Sequence, residues 1–185
     1  MRHTYPTFTI AGLDAVLTGG HRPLLLTNAT IHTLDPLIGT MLGADLLIGD
    51  GLVVGVGPGI VTAAEDDDAV VIDATGTVVV PMRFDATTAL GGARYGTGSG
   101  TLAPGSDASM VVMSDEDAPN LAAALHTALT APERLLAVLQ KGRPSHWAGS
   151  AIDTAPSATL QVDRLAVDLS RVGHGPYTMT RQDVR

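Results

Sequence analysis

Apolar residues along this chain fall into short runs separated by turns that contain glycine or proline. Residues 24–34 alternate in part between apolar and polar side chains, a pattern that predicts a strand. Two apolar runs, 44–48 and 52–56, flank Gly49-Asp50-Gly51, and Asp-Gly between such runs predicts a hairpin. This close succession of short strands favours a sandwich-like or barrel-like β unit. The further predicted strands are 70–73 with 77–80 as a second hairpin, 109–113, and 134–140 with 145–147 as a last hairpin.

Three segments have the composition or the spacing of helices. Residues 84–95 are rich in Ala and Thr, and residues 120–129 follow a cap residue at Asp117 or Asn120. Residues 162–171 place apolar side chains at helical intervals. We therefore expect a mainly β fold, a small β-sandwich or barrel-like domain, with two or three short helices.

Composition and charge narrow the class of protein. The chain is 45% hydrophobic and only 16% charged, which is typical of a globular protein, and with 3% aromatic residues its core must be aliphatic. A formal charge of −8 disfavours nucleic acid and anionic membranes as partners. There is no cysteine, so disulfides, thiolate nucleophiles and cysteine-ligated metals are excluded. Neither a signal-peptide core nor an apolar run of membrane-spanning length is present, so we expect a cytoplasmic protein.

The run Val-Val-Val-Pro-Met-Arg-Phe-Asp at residues 78–85 resembles the amidohydrolase signature in which Val-Pro-Gly-Phe-Val-Asp leads into a His-x-His metal pair. Thr87 and Ala89 stand where the two histidines would be, and in a second register Ala86-Thr87 matches the last barrel helix instead. Residues 100–113 resemble the family's return from its barrel into the outer β-domain. In both registers the metal site is lost.

The resemblance extends over about residues 24–148. Residues 26–36 and 43–57 are similar to the opening β-domain of the branch that contains chlorotriazine hydrolases and guanine or cytosine deaminase-like enzymes. The resemblance implies the composite β-domain of an amidohydrolase with its catalytic (β/α)₈ barrel deleted. Length agrees, because such a barrel needs about 250 residues and the sequence has 185. We expect a single domain over 1–185, with 1–23 and 149–185 as terminal additions.

The family's metal-dependent hydrolysis does not carry over, because its barrel-borne ligands have no counterparts here. The chain has six histidines and no His-x-His or His-x-x-x-His pattern, so we expect neither a metal nor another cofactor. The residues we select as candidates for catalysis are His32, His126, Asp45 and Arg94.

Two functions from different classes remain open. The first is a metal-independent enzyme on a reused β scaffold, a cyclase, isomerase or lyase of a specialised biosynthetic pathway that binds a small molecule. The second is a non-catalytic binding or assembly module that pairs with another protein or with itself, as a homodimer through the surface that once faced the barrel. A pocket lined with polar groups favours the first, and a flat apolar patch favours the second.

Overall fold

The computed structural model describes residues 4–61, 68–85, 100–150, 152 and 161–163, and of 83–85 and 161–163 the backbone alone. These residues include the α-helices α1 (Ile10–Gly19) and α2 (Leu121–Thr130) and a short 3₁₀ helix at Pro132–Arg134. The first six strands are β1 (Leu24–His32), β2 (Thr40–Gly49), β3 (Leu52–Gly57), β4 (Val70–Asp73), β5 (Thr77–Pro81) and β6 (Arg83–Asp85). The remaining strands are β7 (Met110–Ser114), β8 (Leu135–Gln140), β9 (Arg143–Trp147) and β10 (Gln161–Asp163).

Eight of the strands form one mixed sheet with the order β3-β2-β1-β5-β7-β8-β9, and β4 also pairs with β1. The β2–β3 and β8–β9 pairs are the two hairpins predicted around Gly49-Asp50-Gly51 and around residue 142. β6 and β10 form a separate parallel pair. The predicted mainly β fold with short helices is confirmed, and the described residues contain no (β/α)₈ barrel.

Strand β1 changes its inward-facing positions at a bulge. Leu24 and Leu26 point into the main core, but so do Ala29 and Ile31, which a strict alternation would turn outward. The register of β1 against β2 shifts between Leu26 and Ala29, and Asn28 has a φ of 62°. Asparagine tolerates this left-handed conformation better than most residues. The bulge therefore lets Ala29 and Ile31 join Leu24 and Leu26 in the core.

The predicted second hairpin is wrong, because β4 and β5 do not pair with each other. Both run parallel to β1, β4 beside its first half and β5 beside its second half. The residues between β4 and β5 make a local turn, after which the chain continues in the same direction. In this turn the carboxylate of Asp73 accepts hydrogen bonds from the backbone N–H and the hydroxyl of Thr75. Only Gly76, with a φ of 74°, is left-handed there. A two-residue hairpin turn of the favoured type needs two such residues in succession.

The main sheet curls around an apolar core, and strands near both ends of the sheet order contribute side chains to this core. Side chains of β2 and β3 meet side chains of β8 and β9 in this inner core, as the sandwich-like prediction requires. A second apolar layer lies on the opposite face, where α2 packs against β5, β7 and β8. Large, fully buried members of the inner core are Leu26, Ile31, Leu46, Ile72, Met110 and Trp147.

The N-terminal segment contains a helix that the sequence pattern did not predict. Helix α1 exposes Ile10 and Leu17 and buries Leu13, so its apolar residues do not form the single stripe from which a helix is recognised. The backbone oxygen of Thr9 accepts a 2.8 Å hydrogen bond from the indole of Trp147, and Phe8 packs on the same ring. Residues before β1 are thus part of the inner core rather than a loose addition.

The other two predicted helices have different outcomes. Helix α2 is confirmed, and the side chain of Asn120 caps it by accepting a hydrogen bond from the backbone of Ala123. The predicted helix at 162–171 is wrong at its start, because Val162 and Asp163 lie in β10. The predicted helix at 84–95 is also wrong at its start, since residues 84 and 85 lie in β6. The rest of both segments lies outside the described residues.

The curled sheet is closed by a short segment that joins two hairpin turns. Residues 105–109, which we call the seam segment, run between the β2–β3 turn and the β8–β9 turn and hydrogen-bond to both. The bonds are Gly105 N to Val53 O, Val53 N to Ser106 O, Ala108 N to Gly51 O, Gly142 N to Ala108 O and Lys141 N to the hydroxyl of Ser109, all between 2.7 and 3.0 Å. The turns are also in direct contact, since a Cβ on Gly142 would lie 2.7 Å from Cγ2 of Ile48.

We expect Gly142→Ala to destabilise the protein more than Gly39→Ala. The two glycines have nearly the same φ, 72° and 71°, so both substitutions carry the strain of a left-handed residue, about 1–2 kcal/mol. Only Gly142 adds a steric clash, because nothing lies within 4 Å of a Cβ on Gly39. Urea denaturation followed by the fluorescence of Trp147 should show an additional loss of about 1–3 kcal/mol for Gly142→Ala. Equal losses in the two variants would contradict the closed seam.

Candidate functional site

His32 is a buried histidine at the end of β1. Its Nδ1 lies 2.8 Å from the hydroxyl of Thr40 on β2, and among the described residues its Nε2 is buried without a hydrogen-bond partner. Burial lowers the pKa of His32 below its ordinary value of 6.5, because the charged imidazolium would lose its hydration. The folded protein therefore holds a proton on His32 less readily than the unfolded chain does.

Asp45 on β2 is a buried carboxylate whose two oxygens accept four hydrogen bonds. Oδ1 accepts from the hydroxyl of Thr27 at 2.7 Å and from the backbone N–H of Asn28 at 3.2 Å. Oδ2 accepts from the backbone N–H groups of Ile60 and Val61, at 2.8 and 3.2 Å. Asp45 thus ties the bulge of β1 to the segment after β3, which is a structural arrangement. Its part in catalysis stays a prediction.

Three of the four sequence-predicted residues, His32, Asp45 and His126, lie in the described part of the chain, and no hydrogen bond joins any two of them. His126 is exposed on α2, on the side away from the apolar layer, and its backbone oxygen accepts a bond from Thr130. Arg94 lies outside the described residues. His32 and Asp45 lie on neighbouring strands and share no hydrogen-bond partner. The described residues therefore support no catalytic constellation among these four.

A cleft of about 480 Å³ opens at the end of the sheet where the two hairpin turns meet. It is lined by residues 20–22 between α1 and β1, by residues 48–52, by Asp107 of the seam segment and by residues 141–143. Leu24 adds to the apolar part of the wall. The hydrogen bonds that close the sheet therefore also hold three of these segments, 48–52, Asp107 and 141–143, around one cavity.

The lining of this seam cleft is rich in cations for so acidic a chain. Arg22, Lys141 and Arg143 line it together with Asp50 and Asp107, although the whole chain carries a formal charge of −8. The guanidinium of Arg22 is paired at 2.7 Å with the carboxylate of Asp68. Within the described part of the chain, Lys141 and Arg143 form no salt bridge. Two uncompensated cations thus project from one turn at the cleft.

Sequence reasoning identified both turns but assigned them no chemistry. The sequence predicts hairpin turns at Gly49-Asp50-Gly51 and at Lys141-Gly142-Arg143-Pro144. In the structure both hairpins form, and β9 already begins at Arg143. The sequence signal for a charged site is the pair of basic residues on either side of Gly142. It could not be interpreted from sequence, because the facing turn is more than eighty residues away. Only the curl of the sheet brings the two turns together.

Two further observations concern metal binding and membrane-spanning helices. In the residues described, no group of three His, Asp or Glu side chains is placed to hold a metal ion. Neither described helix has the length and apolar character needed to cross a membrane.

No protein-family model matches the chain, and no curated protein matches it. Among solved structures, triazine hydrolase from Arthobacter aurescens matches with 24% identity over 35% of this chain and 14% of that chain, at a TM-score of 0.31. A D-hydantoinase matches with 36% identity over 32% of this chain and 11% of that one, at a TM-score of 0.26. Dihydropyrimidinase from Brevibacillus agri NCHU1002 matches with 30% identity over 34% of this chain and 13% of that one, also at 0.26.

These structures are members of the amidohydrolase superfamily. The similarity extends over about a third of this chain and less than a sixth of each of the three structures. The deleted barrel and the particular branch of the superfamily remain predictions.

We expect Asp45→Asn to lower the free energy of unfolding by about 2–4 kcal/mol. All four partners of Asp45 are donors, and in either orientation the amide nitrogen of asparagine would face two of them and leave those bonds unmade. Asp50→Asn is the matched control, because Asp50 is exposed and asparagine tolerates its φ of 52°. This control should change stability by less than about 0.5 kcal/mol in the same urea titration.

We expect the protein to lose stability as the pH falls below 6.5, and His32 to account for part of that loss. In the unfolded chain the imidazole takes up a proton near 6.5, while in the folded protein its pKa is lower. The unfolded state therefore binds more protons in this window, which reduces stability by at most about 1.4 kcal/mol per pH unit. Above 6.5 both states are neutral and the contribution of His32 is constant.

The test is urea denaturation of the wild type and of His32→Gln at several pH values between 5 and 8. His32→Gln should lose less stability on acidification than the wild type does. His126→Gln, which removes an exposed imidazole, controls for the loss of a histidine as such. Parallel curves for the wild type and His32→Gln would contradict the assignment.

Proposed function

We propose that this chain binds a small molecule in the seam cleft, and that it acts as a binding scaffold built on a β-domain. The observation that carries the proposal is the cleft itself, formed where two hairpin turns and the seam segment meet. Its volume of about 480 Å³ lies within the range of sites that hold small ligands, about 300–1,000 Å³.

The lining of the cleft supports the same proposal. Ligand sites combine an apolar wall with a few polar groups that orient the ligand. Of the apolar lining residues, Leu52 is exposed and supplies apolar surface, while Leu24 and Ile48 are almost wholly buried. The charged residues of the turns supply the polar groups. Because the turns are fixed by backbone hydrogen bonds to the seam segment, the cleft is largely formed before a ligand enters, which reduces the entropic cost of binding.

The sequence suggests two more specific functions, and we treat them as extensions of this proposal. A metal-independent cyclase, isomerase or lyase would use the cleft to hold and orient its substrate, since such reactions can rest on positioning and desolvation. An assembly module would instead need an extended apolar surface. The polar lining of the cleft favours a small ligand over a protein partner.

The experiment is to block the cleft and to measure ligand retention. Leu52 lies at the cleft and is 46% exposed, so Leu52→Trp should fill the opening without disturbing the core. Leu42→Trp is the matched control, because Leu42 is more exposed and lies on β2 six residues before Ile48, outside the cleft lining. Native mass spectrometry of the protein from cell extract should detect a retained small molecule in the wild type and in Leu42→Trp, and not in Leu52→Trp.

A fragment screen followed by amide chemical shifts complements this measurement. Fragments of mixed charge should shift the amide signals of Gly49, Gly51 and Gly142 in the wild type. The proposal is overturned if no molecule is retained and if fragments shift these signals no more than those of the rest of the chain.

A further inference from the structure

The charges of the seam cleft are unevenly distributed between its two turns. The β8–β9 turn contributes Lys141 and Arg143, which flank Gly142 and have no salt-bridge partner in the described residues. The β2–β3 turn contributes the carboxylate of Asp50. The cleft therefore has a cationic wall facing a wall that accepts hydrogen bonds.

The carboxylates do not neutralise the cationic wall. Oδ1 of Asp107 accepts a hydrogen bond from the hydroxyl of Ser109. The oxygen of that hydroxyl accepts a hydrogen bond from the backbone N–H of Lys141. Asp107 is thus engaged in holding the backbone of the turn, while the ammonium of Lys141 lies within 4 Å of no described carboxylate. The Lys141 and Arg143 side chains remain available to an external anion.

The turn at Lys141 does not itself favour a lysine. Lys141 has a φ of 48° and Gly142 a φ of 72°, the pair of left-handed residues that a tight hairpin turn requires. Asn, Asp or Gly is favoured at the first of these positions, and the facing turn indeed has Asp50 there, with a φ of 52°. A lysine is strained in this conformation. The geometry of the turn therefore does not explain why a lysine stands here.

We propose that the ligand of the seam cleft is a small organic anion whose carboxylate or phosphate head binds Lys141 and Arg143. This inference rests on the proposed function of the cleft as a small-molecule site. Leu52 contacts a short apolar body of the ligand, and Asp50 accepts a hydrogen bond from a hydroxyl group where the ligand has one. The net charge of −8 does not prevent this, because charges beyond about 8 Å are largely screened at physiological ionic strength.

The test compares three probes that share one apolar body and differ in the head group: hexanoate, hexan-1-ol and hexylammonium. Each is titrated into the ¹⁵N-labelled full chain, and dissociation constants are taken from the amide shifts of Gly49, Gly51 and Gly142. Hexanoate should bind at least about tenfold more tightly than either other probe, since a charge-assisted hydrogen bond contributes about 1.5 kcal/mol or more. Hexanoate binding should also weaken as salt is raised.

Two variants remove the cations one at a time. Lys141→Asn and Arg143→Gln should each weaken hexanoate binding about tenfold and leave hexan-1-ol binding unchanged. Lys141→Asn should at the same time raise the urea midpoint, because asparagine fits the left-handed turn better than lysine. Arg134→Gln is the matched control: it removes one exposed positive charge outside the cleft and should leave hexanoate binding as it is in the wild type.

The outcomes separate this inference from the proposed function. If the three probes bind at the cleft with similar constants and neither variant weakens hexanoate, the anion inference is overturned while the cleft remains a binding site. If Arg134→Gln weakens hexanoate as much as Lys141→Asn does, the effect comes from net charge and the inference is again overturned. If no probe shifts the cleft amides, both the inference and the cleft as a site for such ligands are overturned.

Discussion

The hydrogen bonds of Asp45 determine how the central strand fits into the sheet. β1 pairs with β2 on one side and with β4 and then β5 on the other, so its register determines the position of much of the sheet. The bulge at Asn28 changes which side chains face the core, and a bulge is stable only if its free backbone groups find partners. One oxygen of Asp45 binds that backbone and the other binds the segment after β3. A single buried carboxylate therefore holds the bulge and the neighbouring loop together.

At the other end of β1 the same sheet has to close on itself. The inner core is filled by side chains from both ends of the sheet order, and this is possible only if the β2–β3 and β8–β9 hairpins approach each other. Glycines permit the approach, since a Cβ at Gly142 would collide with Ile48. The seam segment then satisfies the backbone groups that the two turns expose. The two turns are closest at their glycines, and the cleft is the space beside this contact, lined by the side chains of both turns.

Much of the sheet could be predicted from sequence because its signals are local. Apolar runs flanking Asp-Gly at 50–51 predict one hairpin, and the Asn120 cap predicts α2. The errors arose where tertiary contacts outweigh local pattern. Ala74-Thr75-Gly76 looks like a hairpin turn, but the chain continues in the same direction because β1 offers two successive pairing sites. Helix α1 has no clear apolar stripe, and its segment is held by Phe8 and by the indole of Trp147.

The candidate site was less predictable than the fold, for a related reason. The sequence suggests His32 and Asp45 as residues that could move protons or charge in a pocket, and in the structure Asp45 holds backbone groups instead. The seam cleft instead draws its charged residues from turns, where sequence reasoning expects solvated side chains. Turn residues are free of core packing, so their charge can change without altering the fold, provided that the glycines beside them are kept. This scaffold therefore separates the residues that hold it together, in the bulge and the core, from the residues that can recognise a ligand, on the two hairpin turns.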